Sequence, residues 1–236
     1  MRARHPKLNR ATLAMAGLLA TLAATPASAA SCTWNTTNGN WAAIVNWTAC
    51  VTGNGNPAGA PGAADSASIG APGVVTINTG QSVLNLNNAG RINIDAFGLN
   101  LVGGGSTANT GFINVGGAST ANVGVSAGHN INNTGGVINV AAGSVVNQFG
   151  SRITGGTINT TGTGALVAFS NGSNFLSNVT LDGRLDMATI ANSRQRIVNG
   201  ATINGTVNVS NGGILSFDSS LSPGGSRPSA APASST

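Results

Sequence analysis

The chain has no glutamate, no tyrosine and a single lysine, Lys7, and only 6% of its residues are charged. These absences limit catalysis, because general acid–base chemistry needs a carboxylate, imidazole or amine at a tuned pKa. Of its five aspartates only Asp182 and Asp186 lie close in sequence. Two cysteines and two histidines, His5 and His129, supply no closely spaced set of metal ligands. Gly103-Gly104-Gly105 lacks the lysine of a phosphate loop and the aspartate of a calcium-binding repeat. No cofactor and no metal are expected.

The formal charge of +5 points toward nucleic acid only until its location is read. Arg2, Arg4, Lys7 and Arg10 crowd the first ten residues, ahead of an uncharged, mostly apolar run from Ala11 to Ala24. Pro26 and the small-x-small triplet Ala27-Ser28-Ala29 follow. That is the layout of a secretory signal peptide over residues 1–29, and its apolar run is too short to span a bilayer. Removing four of the ten cations leaves six arginines against five aspartates, a net charge of about +1. Nucleic acid is therefore not an expected partner, and no membrane span remains after cleavage. The chain is expected to be exported through the inner membrane, to the cell surface, the medium or the periplasm.

Export makes a disulfide the expected state of Cys32 and Cys50. A metal site would want further cysteine or histidine nearby, and His129 is distant in sequence. All three tryptophans, Trp34, Trp41 and Trp47, fall inside the loop those cysteines would close. A Gly/Pro/Asn stretch from Gly53 to Gly62 marks its end. Residues 30–62 thus read as an N-terminal cap, with an aromatic sugar-binding platform as the alternative use of the tryptophans.

What is abundant is neutral and repeated. Residues 30–236 hold 29 asparagines, alongside many Gly, Thr and Ser. The phrase Gly-x-Ile-Asn recurs at Gly111, Gly136 and Gly156, offset by 25 and then 20 residues. Further Ile-Asn pairs start at Ile77, Ile92, Ile131 and Ile203. Short apolar–polar–apolar strands at that period are the writing of a stacked β-solenoid, whose rungs bury a core only by stacking. Uncharged side chains suit stacking, since like charges at one position of successive rungs repel. The expected fold is all-β: a single-stranded parallel β-helix over residues 63–221, with almost no helix, and a disordered tail over 222–236. Its core ladder is expected to be Ile77, Ile92, Ile113, Ile138, Ile158 and Ile203, with each following asparagine turned outward.

Thr33-Trp34-Asn35, Asn40-Trp41, Asn46-Trp47 and Pro61-Gly62-Ala63-Ala64-Asp65 resemble the opening of autotransporter passenger domains and related bacterial surface adhesins. Leu181-Asp182-Gly183-Arg184-Leu185-Asp186 and Ile203-Asn204-Gly205-Thr206-Val207-Asn208-Val209 are similar to rungs of the same passengers. The resemblance implies a right-handed parallel β-helix displayed outside a Gram-negative cell. The C-terminal translocator barrel of that family has no counterpart in this sequence, with its alternating strands and aromatic girdles.

Asp182, Arg184 and Asp186 alternate along a strand and are expected to share one face, either as an ion-paired surface or as paired carboxylates for sugar chemistry. Arg194, Gln195 and Arg196 read as a second surface patch, and His129, between Gly128 and Asn130, as a turn residue. The expected function is a non-enzymatic, adhesin-like or structural passenger fragment that meets host or bacterial surface glycans or proteins by weak multivalent contact. One alternative is a β-helix polysaccharide lyase or glycosidase. Another is a truncated, non-functional fragment of a longer autotransporter.

Overall fold

A computed structural model describes residues 29–50, 59–117 and 120–218. All but the last residue of the expected leader, and the expected tail over 222–236, lie outside these. The described residues form a parallel β-solenoid of about seven turns. Its one helical element is the 3-10 turn Ile44–Asn46. From Ser66 to Val209 each turn of chain lays a strand on each of three faces, and each strand pairs in parallel with its counterpart one turn on.

The first face stacks Ser31–Trp34, Ser66–Ile69, the later parts of Gln81–Asn88 and Phe97–Asn109, Asn130–Asn132, Arg152–Thr154, Phe175–Ser177, Arg194–Val198 and Ile214–Asp218. The second begins at Asn38–Asn40 and Val74–Ile77. It runs through Arg91–Ile94, Phe112–Val115, Val137–Val140 and Thr157–Thr160 to the opening halves of Thr180–Met187 and Thr202–Val209. The third carries the early parts of Gln81–Asn88 and Phe97–Asn109, then Ala121–Val125, Val145–Gln148 and Ala165–Ala168. It ends on the later halves of Thr180–Met187 and Thr202–Val209.

Register explains the repeated phrase. Val75, Ile92, Ile113, Ile138, Ile158 and Leu181 sit one above another on the second face, all buried. Each contributes about 1.5–3 kcal/mol of apolar burial. Two members of the expected ladder are placed differently. Ile77 is buried in the neighbouring file, opposite Ile94, because its rung meets the next two residues out of step with the Ile-Asn phrase. Ile203 continues the ladder above Leu181 but is only half-buried, since no described strand covers its rung from the other side. The glycine of the phrase stands where the chain turns into the second face. A Cβ on Gly111 would overlap the Gly90 carbonyl oxygen, and one on Gly156, at φ +66°, the Asn133 carbonyl oxygen. Rungs 4.8 Å apart leave no room for a side chain at that corner.

The cap closes the starting end. Ser31–Trp34 pairs antiparallel with Trp47–Thr48, so the first-face edge is folded back on itself. Trp47 packs edge-on against both Trp34 and Trp41 with centroids 4.9 Å apart. Its Nε1 donates to the Trp41 carbonyl, and Trp41 Nε1 donates to the Pro61 carbonyl. All three rings are buried, so none presents a face to a sugar, and the platform reading is set aside. Cys32 and Cys50 are disulfide-bonded. Alkylation of unreduced protein should leave both sulfurs unlabelled. Reduction should lower unfolding stability by about 3 kcal/mol in the loop-entropy account. Two alkylated cysteines on native protein would contradict the bond.

Candidate functional site: the outward faces of the rungs

The asparagines of the Ile-Asn phrase form a ladder along the second face. Asn114 Nδ2 donates to Asn93 Oδ1 at 2.8 Å, Asn139 to Asn114 at 2.8 Å, and Asn159 to Asn139 at 2.9 Å. They are half-buried; Asn114 and Asn139 each spend one amide hydrogen and one carbonyl lone pair on their neighbours, while Asn93 only accepts and Asn159 only donates. At least one amide hydrogen per rung remains for a partner. Asp182 follows Asn159 in register and accepts from Asn204 Nδ2 at 2.8 Å.

The asparagines that follow the ladder isoleucines all lie on the outer side, as expected, but others do not. Asn88, Asn109, Asn133 and Asn174 are fully buried. They lie at rung corners, where the turning backbone leaves carbonyls and N–H groups that only an interior amide can reach. Asn174, for example, donates to the carbonyls of Phe169 and Arg194 and accepts from Gly150 N–H.

The Asp182, Arg184 and Asp186 trio bends around a corner at Gly183, whose φ is +134°. Asp182 belongs to the second face and Asp186 to the third, opposite Val167. The expected single carboxylate face is therefore corrected: the strand is continuous but crosses two sides of the rod. Asp186 is buried and accepts four hydrogen bonds, from Ala188 N–H, Thr189 N–H, the Thr189 hydroxyl and Arg184 Nη2 at 2.5 Å. Burial alone would raise its pKa. The bonds from Thr189 and Ala188, with the Arg184 charge, outweigh it and hold the carboxyl below its usual range. Such a group is a fixed anion and a poor proton shuttle at neutral pH. A hollow of about 260 Å³ beside it is lined by Thr160, Gly162, Gly183, Arg184, Gly205, Thr206 and Asn208.

His129 does close a turn, its N–H donating to the Ser126 carbonyl, but its side chain is fully buried. Its Nδ1 lies 2.7 Å from the Val102 carbonyl and its Nε2 2.9 Å from the Thr107 hydroxyl. The carbonyl can only accept, so Nδ1 carries the proton and Nε2 accepts from Thr107. Burial pushes its pKa below the ordinary 6.5, against the upward pull of the Val102 carbonyl. The unfolded chain therefore takes up this proton first. Stability should be full above about pH 6.5 and fall as pH drops below it. The melting temperature is expected to decline between pH 7 and 5 in the native chain, and to stay flat in His129→Gln. An equal decline in both would show that His129 does not carry the effect.

Gln195 is buried as well, so the expected Arg194–Arg196 patch is an alternating strand with arginines outside and the glutamine inside. Cys32 and Cys50, and the tryptophans, belong to the cap and not to a site. Among the described residues no group of three or more His, Cys, Asp or Glu comes together as metal ligands. Nor is any described helix long and apolar enough to cross a membrane.

The first face holds what the sequence did not flag. Its outer side over the first rungs is a trough of about 430 Å³ lined by Ser31, Cys32, Thr33, Ser66, Ala67, Ser68, Asn85, Leu86, Asn87, Ser106 and Ala108. Further along, Phe175 lies between Arg152 and Arg196, each guanidinium 4.6 Å from its ring centroid. These three residues are 23 and 21 positions apart, so only the rung register brings them together. No family model matches this sequence, and no curated protein or solved structure matches it.

Proposed function

We propose that the chain is an exported, non-enzymatic β-solenoid, an adhesin-like or structural passenger that binds through repeated weak contacts along the rod. The carrying observation is the character of the outer faces. They repeat amides and hydroxyls at rung spacing, while the two neighbouring acids are split between faces and one is locked by four hydrogen bonds. Multivalent contact gains affinity from copy number without strong individual sites.

Support for export comes from the cap. Cleavage after Ala29 would make Ala30 nitrogen an ammonium, and that nitrogen already lies 2.8 Å from Asp65 Oδ1. Asp65 Oδ2 in turn accepts from Gly62 N–H. A new positive terminus would therefore meet a seated carboxylate.

The test displays the protein on beads at high density and compares cell binding with that of soluble protein. Display should improve half-maximal binding by about a hundredfold. Incubation with pectin or alginate, with and without calcium, should yield no shortened chains. Equal binding by soluble and displayed forms would overturn the multivalent reading. Turnover lost in Asp182→Ala or Asp186→Ala would favour a polysaccharide lyase or glycosidase instead. Mass measurement of secreted protein should place its first residue at Ala30.

A further inference from the structure

We propose that the first face is a binding track for an extended acidic polysaccharide, with Arg152, Arg194 and Arg196 holding its anionic groups. This rests on the adhesin-like reading above and names the ligand class and the face. The file of outward positions Ser31, Ser66, Asn85, Ser106 and Asn130 runs straight into Arg152, Phe175 and Arg196. Seven rung spacings separate Ser31 from Arg196, or about 34 Å.

The face has two halves of different chemistry. The early rungs form an uncharged concave trough in which hydroxyls and amides such as those of Ser66, Ser68, Asn85 and Asn87 border apolar surface from Ala67, Leu86 and Ala108, a mix that matches both the hydroxyls and the C–H faces of a sugar. The late rungs carry three of the six arginines that follow the leader. Arg196 is ion-paired with Asp218, while Arg152 and Arg194 have no carboxylate partner among the described residues. The excess on this half is thus about two positive charges, in a molecule otherwise poor in charge. Phe175 fixes the planes of Arg152 and Arg196 by stacking on both, so their forks are set before any ligand arrives. Guanidinium forks pair with carboxylate or sulfate in a bidentate manner.

Spacing and shape select a glycan. Arg152 and Arg196 are two rungs apart, about 9.6 Å. An extended glycan advances roughly one sugar ring per rung, so an acid on alternate sugars would fall on successive arginines. Recognition of a single nucleic acid strand would combine phosphate contacts with stacking of its bases on exposed aromatic rings. Both faces of Phe175 are already covered by guanidinium groups, which leaves no platform for a base. A globular protein partner would want large aromatic or arginine anchors, and the lining of the early half of this track has none.

Affinity electrophoresis of the full secreted chain through gels containing polygalacturonate, a neutral dextran or single-stranded DNA tests this. The chain should be retarded by polygalacturonate and not by dextran, with retardation lost in high salt. Arg152→Gln and the exposed Arg194→Gln should each weaken binding about tenfold, one charge-assisted contact apiece. Arg91→Gln, a guanidinium stacked on Phe112 of the second face, should bind like the native chain. Circular dichroism confirms that each variant is folded, and Arg194→Gln, at the surface, keeps the test valid if Arg152→Gln is not. Equal retardation by DNA, or equal weakening by Arg91→Gln, would reduce the effect to general charge and overturn the proposal. Retention of the bead-display gain without any polygalacturonate binding would overturn this track alone. Loss of the gain with polygalacturonate binding intact would overturn the multivalent reading alone.

Discussion

Ile138→Asp should cost about 4–5 kcal/mol and break the solenoid in its middle. Ile138 is 2% exposed and stacked between Ile113 and Ile158, in a rung with neighbours on both sides. No described cation faces that interior position, so a carboxylate there is either unpaired or protonated, and both states are costly. Its neighbour Val137 points outward and is half-buried, so Val137→Asp should cost under about 1 kcal/mol. The tryptophans give a second readout, because all three sit in the cap while the strands report on the whole rod. Stacked repeats couple mainly to their neighbours. Urea unfolding of Ile138→Asp should therefore lose ellipticity well before tryptophan emission shifts. Equal costs for Ile138→Asp and Val137→Asp would mean that the ladder does not face the core.

The fold was legible where a rung writes itself as apolar–polar–apolar. Strands such as Val74–Ile77, Arg91–Ile94, Phe112–Val115 and Val137–Val140 carry their pattern openly, and the tryptophan-rich cap is marked by composition. Other strands hid for identifiable reasons. Ala165–Ala168 is buried at every position and shows no alternation. Phe97–Asn109 turns a corner through three glycines, so one strand reads as two fragments and a loop. Asn130–Asn132 and Arg152–Thr154 are short and polar at their ends, and only stacking makes them strands. The exact ladder was less legible than the fold, since Ile77 shares the Ile-Asn phrase but not its register.

The surface was harder still. Residue type gives the side of a strand but not the side of the rod, so Asp182 and Asp186 appeared as neighbours although Gly183 turns the chain between them. The Arg152, Phe175 and Arg196 stack had no local signal, because its members come from three separate turns. The burial of polar residues escaped the sequence for a common reason. His129, Gln195 and the corner asparagines look like turn or surface residues until the backbone groups they satisfy are seen.

Those corner asparagines carry the second large effect: Asn109→Leu should cost about 2–4 kcal/mol although it adds apolar surface to a buried site. Asn109 sits between Asn88 and Asn133, and all three are fully buried. Asn88 Nδ2 donates to Asn109 Oδ1 at 2.7 Å, and Asn109 Nδ2 donates to Asn133 Oδ1 at 2.6 Å. The ends of this run tie down backbone: Asn88 donates to the Phe112 carbonyl, Asn133 to those of Gly136 and Thr157. Leucine at 109 would leave Asn133 Oδ1 without its donor and remove one of the two acceptors of Asn88. Each orphaned buried group carries its desolvation cost. Asn114 offers the comparison, being in the outward ladder with solvent nearby, and Asn114→Leu should cost under about 1 kcal/mol. Asn109→Asp should destabilise at neutral pH, since its charge would face Asn133 Oδ1 in place of a donor. It should recover in part on acidification, once the carboxyl is protonated and can donate. Denaturant midpoints of the three variants against the native chain decide the matter. An Asn109→Leu protein as stable as Asn114→Leu would show that the interior amides fill space at the corners without holding the rungs together.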